Sequence, residues 1–466
     1  MCFQINSNDD PPNQCPTQLN GLPIEIIWKI LGYLSIKDRM KIRRVDKKWR
    51  QWSFMDVRQL IVGKIETDVF NFIGGLSGLE INSTTGCNNQ CKALKFLLKT
   101  CGQSVRNLFI GPVFELIDVN WIQVILSIPT YCPNLVGLHI DPCPSIPEDV
   151  YFSLYLHFGA RLETAIFFNA FRRSDCQFVV QHLNPERLRV LTVSVESQEH
   201  MDEVAKKFPL LTKFSAWPEW IFPEMDFSSL AKMQQLQEFS FNFTLSDHNF
   251  RSLMNALASL NLQKLILRES CEQISPSAFQ LFQKVKSLKS LDIIVNGSEH
   301  LEVILEPLKQ LEYLNLRLES IETNKQYMDR TFLAISKLDK LKELKLRLKT
   351  RIRLNFSSFC PMPSLTLFHL KVKCCREEKF ETSHPVLAFP NIFPNLIELN
   401  FDWQVPYQFL LTFITKLAAL KRLTIRGYKH ESSLEGYCRL KEISKKHLDD
   451  YPFFKPRKIF DQVVPW

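Results

Sequence analysis

A six-residue pattern, L-x-x-L-x-L with other apolar residues allowed at its three anchors, returns through most of this chain and constrains its fold more than any other feature. It starts at Leu76, Val105, Leu135, Leu162, Leu188, Leu211, Leu236, Leu262, Leu288, Leu311, Leu341, Leu365, Leu396 and Leu420, and from Leu135 onward successive starts are 23 to 31 residues apart. In an extended segment the last two anchors share one face, and the residues flanking them point to the other. Between hexads, stretches such as Asp247 to Leu260 and Ser275 to Leu288 carry apolar residues at helical spacing behind a polar start. Each unit therefore reads strand, turn, helix, and can bury its apolar face only against its neighbours. The fold class expected is α/β, a curved solenoid with parallel strands on the concave face and helices on the convex face. A repeat array also accommodates 466 residues, too many for one conventional core, in a chain whose interior has no Pro/Gly/Ser-rich linker.

These units resemble leucine-rich repeats of the cysteine-containing type. The likeness is best in LQKLILRESCEQISPSAFQLF from Leu262, where Cys271 and Ile274 follow the strand, and in the run Tyr131-Cys132-Pro133-Asn134-Leu135. The Leu162 and Leu211 units replace leucine with Ala or Phe, which leaves their register open. The leucines themselves are core. In such a solenoid, function is expected of the residues that flank them on the strand face.

Residues 22–52, LPIEIIWKILGYLSIKDRMKIRRVDKKWRQW, read as two amphipathic helices. Pro23 fits a first helical position and Glu25 complements the positive helix end. Ile26, Ile27, Ile30, Leu31 and Leu34 form one stripe, while Ser35 and Asp38 have the form of a capping box that opens a second helix carrying Ile42, Val45 and Trp49 on one face. About 30 residues are too few to bury so much apolar surface alone. The segment resembles an F-box, through its L-P-x-E start, I-L-x-x-L continuation and terminal V-x-x-x-W-R. The resemblance implies docking to a Skp-type adaptor and, through it, to cullin and RING subunits, with Leu22, Pro23, Glu25, Ile26, Ile30, Leu31, Leu34, Val45 and Trp49 forming or supporting the interface. The sequence departs from the family at Arg39 and Met40, where leucine usually follows the acid, and this departure is expected to weaken docking. A plainer reading makes the helices a cap on the solenoid's apolar end.

The domain plan is then a disordered tail at 1–18, the F-box at 19–54, the solenoid at 55–444 and a C-terminal tail or cap at 445–466. The N-terminus lacks the basic start and apolar run of a secretory signal, and no apolar stretch approaches the roughly 20 residues that a bilayer demands. Thirteen cysteines, an odd number, suit free thiols in the cytosol or nucleus. Cys87, Cys91 and Cys101 lack paired metal-site spacing, and adjacent Cys374 and Cys375 would point to opposite faces of a strand, so neither metal nor other cofactor is expected. No phosphate-cradling loop, nucleophile elbow or H-E-x-x-H helix occurs, which argues against an enzyme.

The net charge of +9 is unevenly spread: residues 336–380 hold twelve Lys/Arg against four Asp/Glu. On the strand face, Asn107, His139, Thr192, Ser194, Ser215, Trp217 and Asn242 come first and are mostly uncharged. From Leu262 onward the same positions give Lys264, Arg268, Arg317, Lys345, Arg347, Lys371, Arg422 and Arg426, against Asp292, Glu343, Glu398 and Asp402. These basic residues are candidates for binding an acidic or phosphorylated protein segment, because guanidinium forks pair with carboxylate and phosphate. The plainer alternative is a solvated face of locally paired charges. Nucleic acid fits less well, since the basic residues are not interleaved with stacking aromatics. The function expected is that of a substrate-recognition subunit of a cullin-type ubiquitin ligase, the alternative being a repeat scaffold or receptor outside any ligase.

Overall fold

The computed structural model describes residues 22–62, 79–81, 87–110, 119–140, 147–167, 180–218, 224–268, 274–295, 301–350, 356–374, 389–402, 416–426 and 436–439, less positions 33, 35, 46, 55, 56, 196, 243, 323 and 324. The tails expected at 1–18 and 445–466, the capping residue Ser35, and Cys271 and Cys375 all lie outside the described residues. The chain divides into two compact units, Met1–Arg187 and Leu188–Trp466.

The first unit opens with three helices: α1 Ile24–Gly32, α2 Ile36–Ile42 and α3 Lys47–Trp52. Two were expected, because Ile42, Val45 and Trp49 share a helical face. A continuous helix would stack Arg43 on Lys47 and Arg44 on Lys48, like charges four residues apart. The chain instead closes α2 through tightened bonds from Arg44 N to Lys41 O (3.0 Å) and Val45 N to Ile42 O (2.9 Å), and starts again. Strands β1 Gln59–Val62, β2 Leu79–Ile81, β3 Asn107–Ile110, β4 Gly137–Ile140 and β5 Thr164–Ile166 follow. All pair in parallel, in the order β2-β1-β3-β4-β5. Strand β1 is a repeat absent from the expected series. Its hexad, Val57 to Val62, obeys the pattern with valine at both ends, and it inserts between the Leu76 and Val105 units.

The second unit holds β6 Val190–Val195, β7 Lys213–Pro218, β8 Glu238–Phe241, β9 Lys264–Leu267, β10 Ser290–Val295, β11 Tyr313–Glu322, β12 Glu343–Thr350, β13 Leu367–Cys374, β14 Glu398–Asp402 and β15 Arg422–Arg426. These ten are parallel and in sequence order, and β16 Gly436–Arg439 closes the edge antiparallel to β15.

One device fixes the register throughout. The carbonyl of the second hexad residue accepts N–H bonds from the second and third residues of the next hexad, as Gln237 O does from Gln263 N and Lys264 N at 2.8 and 2.9 Å. Arg58, Arg106, Val136, Arg189, Thr212, Gln263, Lys289, Glu312, Lys342, Thr366 and Ile397 carbonyls do the same. A one-residue slip would send every leucine to the wrong face. This rung settles the two units of open register: Glu163 and Thr164 bond Val136 O, and Thr212 and Lys213 bond Arg189 O.

Behind the strands the connectors are helical where length permits. Asp247–Leu257 is an α-helix as expected, capped by Ser246 Oγ, which accepts from Asn249 N at 3.2 Å. The stretch from Ser275 is one α-turn, Pro276–Phe279, continued by the 3-10 segment Gln280–Lys284. The 3-10 form rises further per residue, so it spans a short repeat with fewer residues. Phenylalanines pack against one another across successive connectors, from the helix Lys325–Ser336 to the turn Phe389–Ile392: Phe332 and Phe359 stack at 4.5 Å, Phe356 and Phe389 meet at 4.9 Å, and Phe368 and Phe393 at 5.2 Å. Polar staples tie successive connectors. Asp247 accepts from Ser275 N (2.7 Å), Ser275 Oγ (2.6 Å) and Arg251 Nε (2.7 Å). Among the described residues no helix is long and apolar enough to cross a membrane.

Candidate functional site

Two surfaces bring sequence-selected residues together. The first is the helical trio. Its core is Ile27, Leu31 and Trp49, with Leu22, Ile24, Leu34, Ile42 and Trp52 packed against it, and the rings of Trp49 and Trp52 meet edge-on at 5.7 Å. Helix α1 is apolar on two faces. Ile27 and Leu31 turn inward at 1% and 0% exposure, whereas Ile26 and Ile30 turn outward at 41% and 39%. Val45, in the turn after α2, is 69% exposed, and Pro23 and Glu25 are exposed beside the start of α1. The nine docking candidates therefore separate by role. Pro23, Glu25, Ile26, Ile30 and Val45 face solvent, Leu31 and Trp49 hold the helices together, and Leu22 and Leu34 are half-buried between them. A charge placed at Leu31 or Trp49 would act first on the domain's own fold.

The family departure at Arg39 has a structural role. Arg39 is buried, and its guanidinium donates to Ser53 O (3.1 Å) and Leu34 O (3.4 Å), strapping the turn after α1 to the end of α3. It belongs to the inside of the trio and not to its outer apolar stripe. On the solenoid side, Arg43 lies over the Phe96 ring at 5.0 Å, which seats α2 against the helix Cys87–Cys101.

The second surface is the strand face opposite the buried leucines. Its early part is closed: His139 and Thr192 are fully buried, and Ser194 and Ser215 nearly so. Trp217 Nε1 donates to Ser215 Oγ at 2.9 Å, and Ser194 Oγ to Trp217 O at 2.9 Å, while His139 Nδ1 lies 3.2 Å from Ile166 O.

From β9 onward the face is charged, and register orders the candidates into three rows. One row runs Lys264, Ser290, Tyr313, Glu343, Leu367, Glu398, Arg422. Lys264, Glu398 and Arg422 in it are locally paired. Glu238 on β8 meets Lys213 at 2.7 Å and Lys264 at 3.5 Å, and Arg422 pairs with Glu398. The next row holds Asp292, Asn315, Lys345 and His369. Lys345 Nζ sits 5.1 Å from the centre of the Tyr313 ring.

The last row sets Arg317 beside Arg347 and Arg347 beside Lys371, followed by Asp402 and Arg426. Arg268, directly after β9, continues the ladder through a 3.3 Å bond from its N–H to Phe241 O. Arg317 Nε has a carboxylate, Glu319, at 3.6 Å. Burial holds the Arg268 guanidinium below its ordinary range, Arg317 and Arg347 push the same way, and Asp292 and Tyr313 oppose them. The Tyr313 phenol is pushed up by burial and by Asp292 and Glu343, so its hydroxyl remains a donor at physiological pH. Tyr313 is the residue that sequence reading missed, although its place in the hexad, beside the second anchor, is that of Lys264 and Glu343. Among the described residues no group of His, Cys, Asp and Glu could hold a metal ion.

Residues 19–57 match the F-box domain family. No curated protein matches the sequence. Among solved structures, the chain is similar to one from the Rad7 and Elc1 complex of yeast, at 14% identity and TM-score 0.44, covering 82% of this chain and 84% of that one. It is also similar to a chain of the TLR13–ssRNA13 complex, at 18% identity and TM-score 0.39, covering 72% of this chain and 45% of that one, less than half its length. An LRR protein of Leptospira interrogans is similar at 15% identity and TM-score 0.28, covering 70% and 74% of the two chains. The chain thus carries a match to the F-box domain at residues 19–57, followed by strand ladders built on the L-x-x-L-x-L repeat.

Proposed function

We propose that this chain is the substrate-recognition subunit of an SCF-type ubiquitin ligase, working in the cytosol or nucleus. The F-box helices dock a Skp-type adaptor, which joins cullin and RING subunits, and the strand face of the repeats captures the protein to be ubiquitinated. The observation that supports this reading is the outward apolar pair Ile26 and Ile30 on α1, with Val45 exposed in the turn after α2, in a helical trio that already owns a core. Large aliphatic side chains left exposed beside a completed core suit a contact surface for a partner. The repeats supply no chemistry in this reading. They raise the local concentration of target lysines beside the charged ubiquitin carrier, which is catalysis by proximity. The basic candidates Lys264, Arg268, Arg317, Lys345, Arg347, Lys371, Arg422 and Arg426 make an acidic target segment the natural guest of β9–β15.

Affinity purification of the full chain from cells tests this directly. Wild type is expected to bring down a Skp-type adaptor and a cullin, and the Ile26→Asp/Ile30→Asp variant to lose both while staying folded. Wild type that recovers neither would make the chain a repeat scaffold outside any ligase.

A further inference from the structure

The turns that lead into β10, β11 and β12 hold a basic surface of their own, at the N-terminal edge of the strands and apart from the strand face. Residues 285–289, 306–312 and 337–342 carry Lys286, Lys289, Lys309, Lys337, Lys340 and Lys342 against Glu306, Glu312 and Asp339, and all six lysines are exposed. The equivalent turns on either side, 258–263 and 360–366, hold no charged residue, so the excess is local to three repeats. Rung bonds from Glu312 N to Lys289 O (2.7 Å) and from Lys342 N to Glu312 O (2.8 Å) set these turns side by side. Lys342 Nζ meets Glu312 at 2.6 Å. The hydrogen bond and charge of Lys342 hold the Glu312 carboxyl below its ordinary range, and Lys289 and Lys340 add to the pull, so one carboxylate answers three lysines. Lys309 Nζ reaches Lys337 O at 3.5 Å and Lys340 Nζ reaches Gln310 Oε1 at 2.6 Å, both neutral acceptors.

The helix Lys325–Ser336 adds apolar side chains beside this edge. Tyr327, Arg330, Leu333 and then Lys337, directly after the helix, follow at spacings of three, three and four and so share one stripe. Tyr327 is 37% and Leu333 38% exposed, whereas every leucine within the three turns is buried. We infer that the lysine edge of β10–β12, together with Tyr327 and Leu333, is a docking surface for the anionic headgroup layer of a lipid bilayer. Lysines are point charges without the planar fork that picks out one phosphate or carboxylate, so this edge answers total negative charge. A cytoplasmic leaflet supplies that charge as a plane, and each lysine held near it adds to the attraction. Stable attachment needs a second signal, which Tyr327 and Leu333 supply by entering the boundary between headgroups and acyl chains. Duplex nucleic acid would match the charge but offer Leu333 no apolar medium. The contact is peripheral, since among the described residues no helix is long and apolar enough to cross a membrane, and it does not depend on the ligase reading.

The test is co-sedimentation of the purified full chain with phosphatidylcholine vesicles made with and without phosphatidylserine. Wild type is expected to sediment with the phosphatidylserine vesicles and not with the neutral ones, and to be released as salt rises toward about 1 M. Lys286→Gln/Lys289→Gln/Lys337→Gln should lower the partition constant roughly hundredfold, because each lysine contributes about fivefold, and should leave the melting temperature unchanged. Leu333→Ser keeps every charge and should lower partition by roughly threefold or more. Lys99→Gln/Lys206→Gln/Lys232→Gln makes the same change in net charge with exposed lysines outside the three turns, and should bind as wild type does. Four results would overturn the inference: no sedimentation with phosphatidylserine vesicles, equal sedimentation with neutral ones, wild-type partition by the first triple variant, or equal loss in the second. Retention of a mixed-sequence DNA duplex without vesicle binding would overturn it in favour of nucleic acid.

Discussion

The helices of residues 22–52 and the strands from Lys264 to Cys374 expose surfaces of opposite chemistry. The helices turn isoleucine and valine to water beside a core of isoleucine, leucine and tryptophan, whereas the strands bury their leucines, the half-buried Leu367 excepted, and turn arginine, lysine and tyrosine outward. An exposed apolar stripe gains from being covered at any ionic strength, which suits a standing subunit contact. A charged face gains through orientation and encounter rate and is weakened by salt, which suits a guest that must come and go. Under the proposed function, the contrast would assign the helices to a lasting contact and the strand face to an exchanging one.

The sharpest way to break that division is to damage one region and watch the other. Leu31→Ala should cost the F-box about 2–5 kcal/mol, because a fully buried leucine is replaced by a cavity. Hydrogen exchange should then show lost protection in residues 22–54 and unchanged protection in β6–β15. Arg39→Leu, the family's usual residue, should cost about 1–3 kcal/mol by leaving the Leu34 and Ser53 carbonyls without their donor, read as a lower unfolding midpoint. A gain in stability would show that the arginine strap does not support the trio.

Within the ladder the expected effects are smaller, because they are ionic and partly exposed. Glu238→Gln removes the shared partner of Lys213 and Lys264 and should cost at most about 1 kcal/mol in a urea titration. Asp247→Asn should cost less still, and its cost should depend on pH. Burial pushes the Asp247 carboxyl up, but hydrogen bonds from Ser275 and Arg251 outweigh it and hold the group below its ordinary 3.8. A depressed carboxylate stabilises the fold above its unfolded value and loses that contribution as pH falls through 3.8 toward the folded value. Wild type and Asp247→Asn should therefore differ at neutral pH and converge in acid, and a difference that grew on acidification would reverse the assignment.

The same two regions differ in how much the sequence discloses. The strands are legible because the period of two separates leucine from its neighbours without reference to anything distant. Val57 escaped because its hexad begins and ends in valine, and no local rule places β1 between β2 and β3, since that order is set by pairing across more than 40 residues of chain. In the F-box the motif names the residues but not their direction. Helix α1 is apolar on both faces, so only the packing of Trp49 on Ile27 and Leu31 shows that Ile26 and Ile30 face out. On the ladder face composition reveals the basic excess, while register decides which cations are answered, as Lys264 and Arg422 are, and which gather around Tyr313.

The proposed seating of an adaptor on the outward apolar residues of the F-box is measured most directly by calorimetric titration of the purified full chain with a Skp-type adaptor. Wild type is expected to bind with a negative heat-capacity change that survives added salt, and Ile26→Asp/Ile30→Asp to lose binding at an unchanged melting temperature. Absence of binding by wild type, or undiminished binding by the variant, would contradict it.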